Sequence, residues 1–129
     1  MPIIKITQED INKSKPLEEG WHLFRIEKFT EEDSKDKKSK NWVFELVCLD
    51  KGSQEGRYGY GRFNSKAPGM LLSSGFVPGA YDKSVDEAIE FELSELVGKE
   101  LYGKTHIETY EGKLQRRTEE FATASKPPF

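Results

Sequence analysis

Arg57-Tyr58-Gly59-Tyr60-Gly61-Arg62-Phe63-Asn64-Ser65-Lys66 is the stretch on which the fold prediction depends. It carries three cationic residues and no acidic residue, in a chain whose net charge is -3. As a β-strand it has an outward face of Tyr58, Tyr60, Arg62 and Asn64 and an inward face of Gly59, Gly61 and Phe63. Inward glycines let a strand bend or approach another backbone closely, as small closed barrels require. The alternative is a glycine-bent hairpin whose tyrosines pack against neighbouring loops.

Composition restricts the class of protein. A length of 129 residues, of which 35% are hydrophobic and 33% charged, predicts one small domain with a large surface. The single cysteine, Cys48, excludes an intramolecular disulfide and fits a reducing compartment. No run approaches the roughly 20 apolar residues of a membrane span, and the N-terminus becomes polar too quickly for a signal peptide. We therefore expect a cytoplasmic protein with no membrane partner.

Turn signals divide the chain into segments of alternating polarity. Strands are predicted at residues 20–28, 41–49, 56–65, 100–110 and 113–121, with a short edge strand at 3–7 and a polar connector at 8–19. Residues 68–75 offer one or two helical turns, and 77–82 are predicted to be a loop. Residues 84–96 fit both a helix, through a capping box at Ser84, and a short strand.

Three strands, a helical stretch and two further strands predict an all-β fold. This order is the layout of a five-stranded OB-fold-like Greek-key β-barrel with a short helical insert, although sandwiches and other small barrels also fit. The predicted domain covers residues 1–121, and residues 122–129 form a flexible C-terminal tail.

Residue patterns for catalysis are sparse. His22, His106 and Cys48 have no zinc-like spacing and are expected to be ordinary strand residues. The glycines near Tyr60 lack the spacing of a dinucleotide-binding fingerprint, and the chain contains no Gly-Lys-Ser/Thr phosphate loop. The acidic residues between 82 and 100 are expected to form a solvated face. We predict a protein that is not an enzyme and has no cofactor and no metal site.

Basic residues concentrate in three segments, 35–40, 57–66 and 113–117. In an OB barrel the second and third strands and the loops joining strands 1–2 and 4–5 form an oligonucleotide groove, where these segments would meet. Flat tyrosine rings accept any nucleobase, and a guanidinium can stack or contact a phosphate. The predicted base-stacking residues are Tyr58 and Tyr60, with Trp42 if it faces outward. The predicted phosphate-binding residues are Lys37, Lys38, Lys40, Arg57, Arg62, Lys66, Lys113 and Arg116.

Several motifs resemble a known family. Pro16-Leu17-Glu18-Glu19-Gly20-Trp21-His22 opens the first strand, and Ser39-Lys40-Asn41-Trp42, Gly56-Arg57, Phe63-Asn64, Leu96-Val97-Gly98-Lys99 and Tyr110-Glu111-Gly112-Lys113 follow in order. Together these motifs resemble a family of small bacteriophage proteins that are regarded as OB-fold single-stranded DNA-binding proteins, encoded near replication and recombination genes. The resemblance implies a protein that coats single strands in phage DNA replication or recombination, in the host cytoplasm.

The chain ends with Lys126-Pro127-Pro128-Phe129. This ending is similar to the Pro-Phe tip by which bacterial single-strand binders recruit replication partners, but it includes a lysine and follows only two nearby glutamates. The tail is therefore either a docking tip for replication or recombination proteins or a plain extension. A homodimer through residues 3–7 or an open barrel edge is a further expectation. The alternatives to DNA binding are a protein-interaction module (a virion component or replication adaptor) and an RNA binder.

Overall fold

Strands account for most of the regular structure in the computed structural model, which describes residues 2–14, 16–126 and 128. The strands are β1 (Gly20–Asp33), β2 (Lys40–Cys48), β3 (Tyr58–Asn64), β4 (Glu100–Tyr110) and β5 (Lys113–Thr123). The short helices are α1 (Gln8–Ser14), α2 (Met70–Ser73) and α3 (Phe76–Tyr81), and a 3₁₀ turn covers Leu93–Leu96. Within the described ranges, no helix has the length and apolar character needed to cross a membrane.

The strands form one antiparallel sheet in the order β3-β2-β1-β4-β5. The long strand β1 pairs with β4 from Gly20 to Arg25 and with β2 from Phe24 to Asp33. The all-β class is confirmed, but the sheet is open rather than a closed barrel, since no strand pairing joins β3 to β5 in the described part of the chain. Side chains occupy the space between these two edges: Leu17 lies near Gly59, and Phe76 lies near Gly61.

An aromatic cluster forms the centre of the core. Phe76 from α3 packs against Phe44, Phe63 and Phe121, with ring centroids 4.7, 5.0 and 4.8 Å away. The predicted inward face of β3 is confirmed, because Phe63 and both strand glycines are buried. A Cβ atom on Gly61 would lie 3.2 Å from the Phe76 ring, so the glycine allows this close approach.

A β-bulge at Glu27 changes which residues of β1 face the core. Strict alternation along β1 would place Lys28 on the same face as Phe24 and Ile26. The ladder instead pairs Ile26 with Leu46 and then Lys28 with Glu45, so the extra residue moves Lys28 to the exposed face. Phe29 takes the inward position, and its ring lies 5.0 Å from that of Phe44.

Two helices form where no helix was predicted. In α1, which lies in the predicted connector, the Thr7 hydroxyl accepts the Asp10 amide and the Asp10 carboxylate accepts the Thr7 amide, a reciprocal cap. In α3, which lies in the predicted loop, Pro78 occupies the first turn, where its missing amide is not needed. Burial of Phe76 and Val77 in the core outweighs the local turn signal.

Other segment predictions were wrong in extent. Residues 2–7 form no strand, and residues 84–92 contain no helix. Asp86 and Glu90, spaced four apart, would repel one another on a helix. β1 continues to Asp33, beyond its predicted end at residue 28, and β5 continues to Thr123, beyond its predicted end at residue 121. The Thr123 and Ser125 hydroxyls both donate to Asp82, so the chain contacts the domain beyond residue 121. Pro127 and Phe129 of the predicted docking tip lie outside the described residues.

Candidate functional site

A groove of about 1350 Å³ runs along the gap between the two sheet edges, β3 and β5. One wall is formed by β3, through the outward Tyr58, Tyr60 and Arg62 and also through Gly59 and Phe63 of its inward face, together with β2 neighbours, and the other wall by β5. The ends are occupied by Leu17, which precedes β1, and by residues of and around α2, including Met70 and Ser74. The groove therefore exists because the sheet is open at this position.

Tyr58, Tyr60 and Arg62 line this groove from a single face of β3. The two tyrosines are half-buried and Arg62 is exposed. The Arg62 guanidinium carbon lies 5.3 Å from the centre of the Tyr60 ring, within the range of a cation–π contact. Residues two apart on a strand repeat every 6–7 Å or so along it. The predicted juxtaposition of two rings and a guanidinium is present.

The rest of this face comes from the neighbouring strands. Val43 of β2 is directly opposite Arg62, and Glu45 is opposite Tyr60. Lys28 of β1 is opposite Glu45 on its other side, which places a cation in the same row as Tyr60. Sequence reasoning missed Lys28 because of the bulge. The sequence does contain one sign of the bulge. Strict alternation places the large apolar Phe29 on the outward face, which is unfavourable.

Trp42 does not belong to this face. It has the same orientation in β2 as the buried Phe44 and is paired with Phe63 across the ladder. Its ring is half-buried and packs against the core, and its indole N–H donates to a Glu31 carboxylate oxygen at 3.0 Å. The structure thus separates Trp42 from Tyr58 and Tyr60, and the question of its orientation is answered in favour of the core side.

Two of the predicted phosphate-binding arginines hold a segment that we call the strap, residues 16–19. Arg57 Nη1 donates to the Pro16 carbonyl at 2.7 Å, and Arg116 Nε donates to the Leu17 carbonyl at 3.2 Å. Gln54 accepts the Glu18 amide at 2.9 Å. Leu17 is buried beneath these contacts. Arg116 still lines the groove, whereas Arg57 does not.

Two predicted phosphate-binding lysines, Lys40 at the start of β2 and Lys66 after β3, have acidic neighbours at the end of β1 and in the β1–β2 connection. Lys40 forms an ion pair with Asp33, and this carboxylate raises the pKa of Lys40. Lys66 Nζ lies 3.0 Å from Asp36 Oδ2. The pKa of Asp36 is lowered to about 2 by hydrogen bonds from the Ser34 hydroxyl, the Lys38 amide and Lys66. Other predicted cations, Lys37, Lys38 and Lys113, have exposed side chains at the two connecting turns.

Charge in the groove is balanced rather than strongly positive. Its lining includes three basic residues and three acidic residues, namely Arg62, Arg116, Arg117, Glu32, Glu119 and Glu120. Arg117 lies 3.6 Å from Glu119, so part of this charge is paired within β5. The Arg62 guanidinium lies over an aromatic ring of β3, that of Tyr60. A ligand in this groove would therefore contact aromatic rings and, around them, side chains of both charges.

A second cluster lies outside the groove. His22, Cys48 and Asp50 come together near the start of β1, although His22 and Cys48 have no zinc-like spacing in the sequence. His22 and Cys48 are buried. Burial raises the pKa of the Cys48 thiol to about 11, so the thiol is neutral at physiological pH in the protein alone.

The sequence was also compared with known proteins. No protein-family model matches the chain, and no curated protein is significantly similar to it.

Proposed function

We propose that this protein binds single-stranded DNA without sequence preference and has no catalytic activity. The observation that carries the proposal is the alignment of Tyr58, Tyr60 and Arg62 on one face of β3, along a groove of about 1350 Å³. The motif resemblance described above suggests the setting, which is the coating of strands exposed during phage DNA replication or recombination.

Binding would combine stacking with phosphate contacts. Each tyrosine ring would accept one base, and base–aromatic stacking is worth about 1–3 kcal/mol per base. The 6–7 Å or so between same-face residues is about twice the spacing of stacked bases, so the bound strand would be extended. Arg62 would support the Tyr60 ring and reach a phosphate, and Lys28, two strands away in the row of Tyr60, would add a second cation to this face. Paired bases in a duplex cannot present their faces to these rings, which gives selectivity for single strands.

The path of the chain supports an OB-like interpretation of the fold. β1 pairs with both β2 and β4, and the helices α2 and α3 lie between β3 and β4 in the sequence. The outward surface of the second and third strands is the usual oligonucleotide-binding face of such folds. In this protein the face would be completed by the β1–β2 connection, with Lys37 and Lys38, and by the β4–β5 turn, with Lys113.

The test is fluorescence anisotropy of labelled oligo-dT titrated with the full chain at low and at physiological salt. We expect tight binding that weakens with salt, because phosphate contacts release counterions. A duplex of equal length should bind much more weakly. The Tyr58→Ala/Tyr60→Ala double variant should bind less tightly, whereas Tyr102→Ala, at a half-buried tyrosine that does not line the groove, should bind as the parent does. Absence of oligo-dT binding at low salt would refute the proposal.

The balanced charge of the groove favours a second candidate, a protein-interaction module. Equal numbers of arginines and glutamates suit a mixed-charge peptide better than a polyanion. A virion component or replication adaptor would show no oligonucleotide affinity at moderate salt and would retain a protein partner in pull-down. An RNA ligand in the same groove is separated from DNA by competition between oligo-dT and oligo-U of equal length.

A further inference from the structure

The cluster of His22, Cys48 and Asp50 is assembled by strand pairing. Phe24 pairs with Cys48 in the β1–β2 ladder, and the Leu49 amide donates to the Leu23 carbonyl at 2.7 Å. These contacts bring His22 opposite the residues that leave β2. One ligand atom from each of the three residues lies within 4.8 Å of the other two. The donor set is therefore an imidazole nitrogen, a thiol sulfur and a carboxylate oxygen.

Both ring nitrogens of His22 face hydrogen-bond acceptors. A neutral imidazole therefore lacks one of the two N–H groups that these contacts require. Nε2 lies 2.7 Å from the Glu18 carbonyl oxygen, and Nδ1 lies 3.0 Å from Asp50 Oδ2. Both neighbours are acceptors, but a neutral imidazole has only one N–H. If Nε2 donates to Glu18, the lone pair of Nδ1 faces a carboxylate oxygen. The His22 side chain is only 8% exposed, so water does little to relieve this opposition. A cation bound between Nδ1 and Asp50 Oδ2 would be attracted to both atoms and would remove the repulsion between them.

We propose that His22 Nδ1, Cys48 Sγ and Asp50 Oδ2 bind a divalent metal ion of the zinc class. Thiolate and imidazole together select zinc over magnesium or calcium, which prefer oxygen ligands. A histidine ligand usually donates its other ring N–H to a carbonyl or carboxylate, which is the contact that Nε2 makes with Glu18. Zinc bonds of about 2.0–2.3 Å require only modest side-chain movement from the present spacing.

The bound ion would connect three parts of the molecule. His22 belongs to β1, Asp50 lies in the β2–β3 connection, and Glu18 belongs to the strap. Asp50 already accepts the Leu23 amide through Oδ1 at 3.1 Å, which orients Oδ2 toward His22. The Asp50 side chain is 36% exposed, so a water can supply the fourth ligand from that side. None of the three ligands lines the groove on β3, so metal binding and DNA binding can be tested separately.

The experiment is a titration of the full, reduced chain with Co²⁺, followed by displacement with Zn²⁺. We expect a one-to-one complex with a thiolate-to-cobalt charge-transfer band and the visible bands of tetrahedral cobalt, together with a rise in Tm on addition of Zn²⁺. Cys48→Ser should abolish the charge-transfer band. His106→Gln, which changes the other histidine of the chain, should leave the complex unchanged.

The Asp50→Asn variant distinguishes the loss of a metal site from the loss of the fold. The Asn amide can donate to His22 Nδ1, and its oxygen can still accept the Leu23 amide, so this variant should fold without a cation. It should also lose at least about 100-fold in Co²⁺ affinity, since a charged ligand is removed. The proposal is overturned if the parent chain gives no cobalt spectrum and no Zn²⁺-dependent rise in Tm. It is also overturned if Asp50→Asn binds Co²⁺ as the parent does.

Discussion

The two faces of β3 differ in what surrounds them, although their residues alternate along one strand. The inward face, represented by Phe63, contacts the rings of Phe44, Phe76 and Phe121. The outward face, represented by Tyr60, is half-buried and borders the groove. An inward ring is surrounded by groups whose packing depends on it, whereas the outward Tyr60 ring contacts Arg62 and borders the groove. Substitutions on the two faces should therefore separate stability from binding.

The same division applies to the cations. Arg57 is half-buried and bonded to a backbone carbonyl of the strap, whereas Arg62 is exposed in the groove beside an aromatic ring. The two arginines are five residues apart and looked equivalent in the sequence. Only their surroundings in the folded chain distinguish a structural arginine from one that is presented to a ligand.

The largest expected effect is on the inward face, from Phe63→Ala. Removal of a ring that packs against three others should lower the free energy of unfolding by about 3–5 kcal/mol. Urea denaturation followed by far-UV circular dichroism measures this loss. At a temperature where the variant is folded, its affinity for oligo-dT should fall less than that of Tyr60→Ala, because Phe63 lines the groove but belongs to the core face of β3. A loss below 1 kcal/mol or so would contradict the central place of this ring in the core.

The next largest effect is on the outward face, from Tyr58→Ala and Tyr60→Ala. Each single change should weaken oligo-dT binding by about tenfold, corresponding to the loss of one stacked base. Stability should fall less than in Phe63→Ala, since both tyrosines are only half-buried. Quenching of tyrosine fluorescence by oligo-dT should diminish in parallel. If either variant lost affinity only in proportion to its unfolded fraction, stacking on that ring would be refuted.

Much of the sheet was predictable because its patterns are local. The apolar alternation of β2, with Phe44, Leu46 and Cys48 inward, is set by residues within one strand, and burial confirms it. The turn at Glu111 and Gly112 fixed the β4–β5 hairpin for the same reason. On β3, the outward position of Tyr58, Tyr60 and Arg62 followed from period-two geometry alone. The part of the site that lies on one strand could therefore be predicted.

The remainder depends on contacts between distant segments. The bulge at Glu27 becomes necessary only when Phe29 meets Phe44, so alternation misplaced Lys28. Arg57 was predicted to bind phosphate, because no local pattern indicates its hydrogen bond to the Pro16 carbonyl, which is 41 residues away in the sequence. The helix α3 forms because the core buries Phe76, against a local Pro-Gly signal for a turn. Barrel closure was overestimated because the side chains of Leu17 and Phe76 lie between the two sheet edges.

A smaller effect distinguishes Arg57 from Arg62. Arg62→Gln should reduce the slope of log affinity against log salt by about 0.7, the value for one phosphate contact on a single strand. Arg57→Gln should leave that slope unchanged but lower the free energy of unfolding by about 1–3 kcal/mol, because the strap loses a charged hydrogen bond. The two variants carry the same charge change, so each is the control for the other. Equal slopes in both would refute the division.

The smallest effect concerns the ion pairs of the β1–β2 connection. Asp33 and Asp36 compete with phosphate for Lys40 and Lys66, so the Asp33→Asn/Asp36→Asn double variant should bind oligo-dT more tightly. Both pairs are exposed, and exposed pairs are weak, so a gain of about two- to fivefold at low salt is expected. It should vanish at high salt because exposed charges are screened. The matched control is Asp86→Asn/Glu87→Gln, which makes the same charge change at exposed residues outside the groove. An equal gain in affinity in the control would mean that the change in net charge alone is responsible. The ion pairs with Asp33 and Asp36 would then not limit phosphate binding by the two lysines.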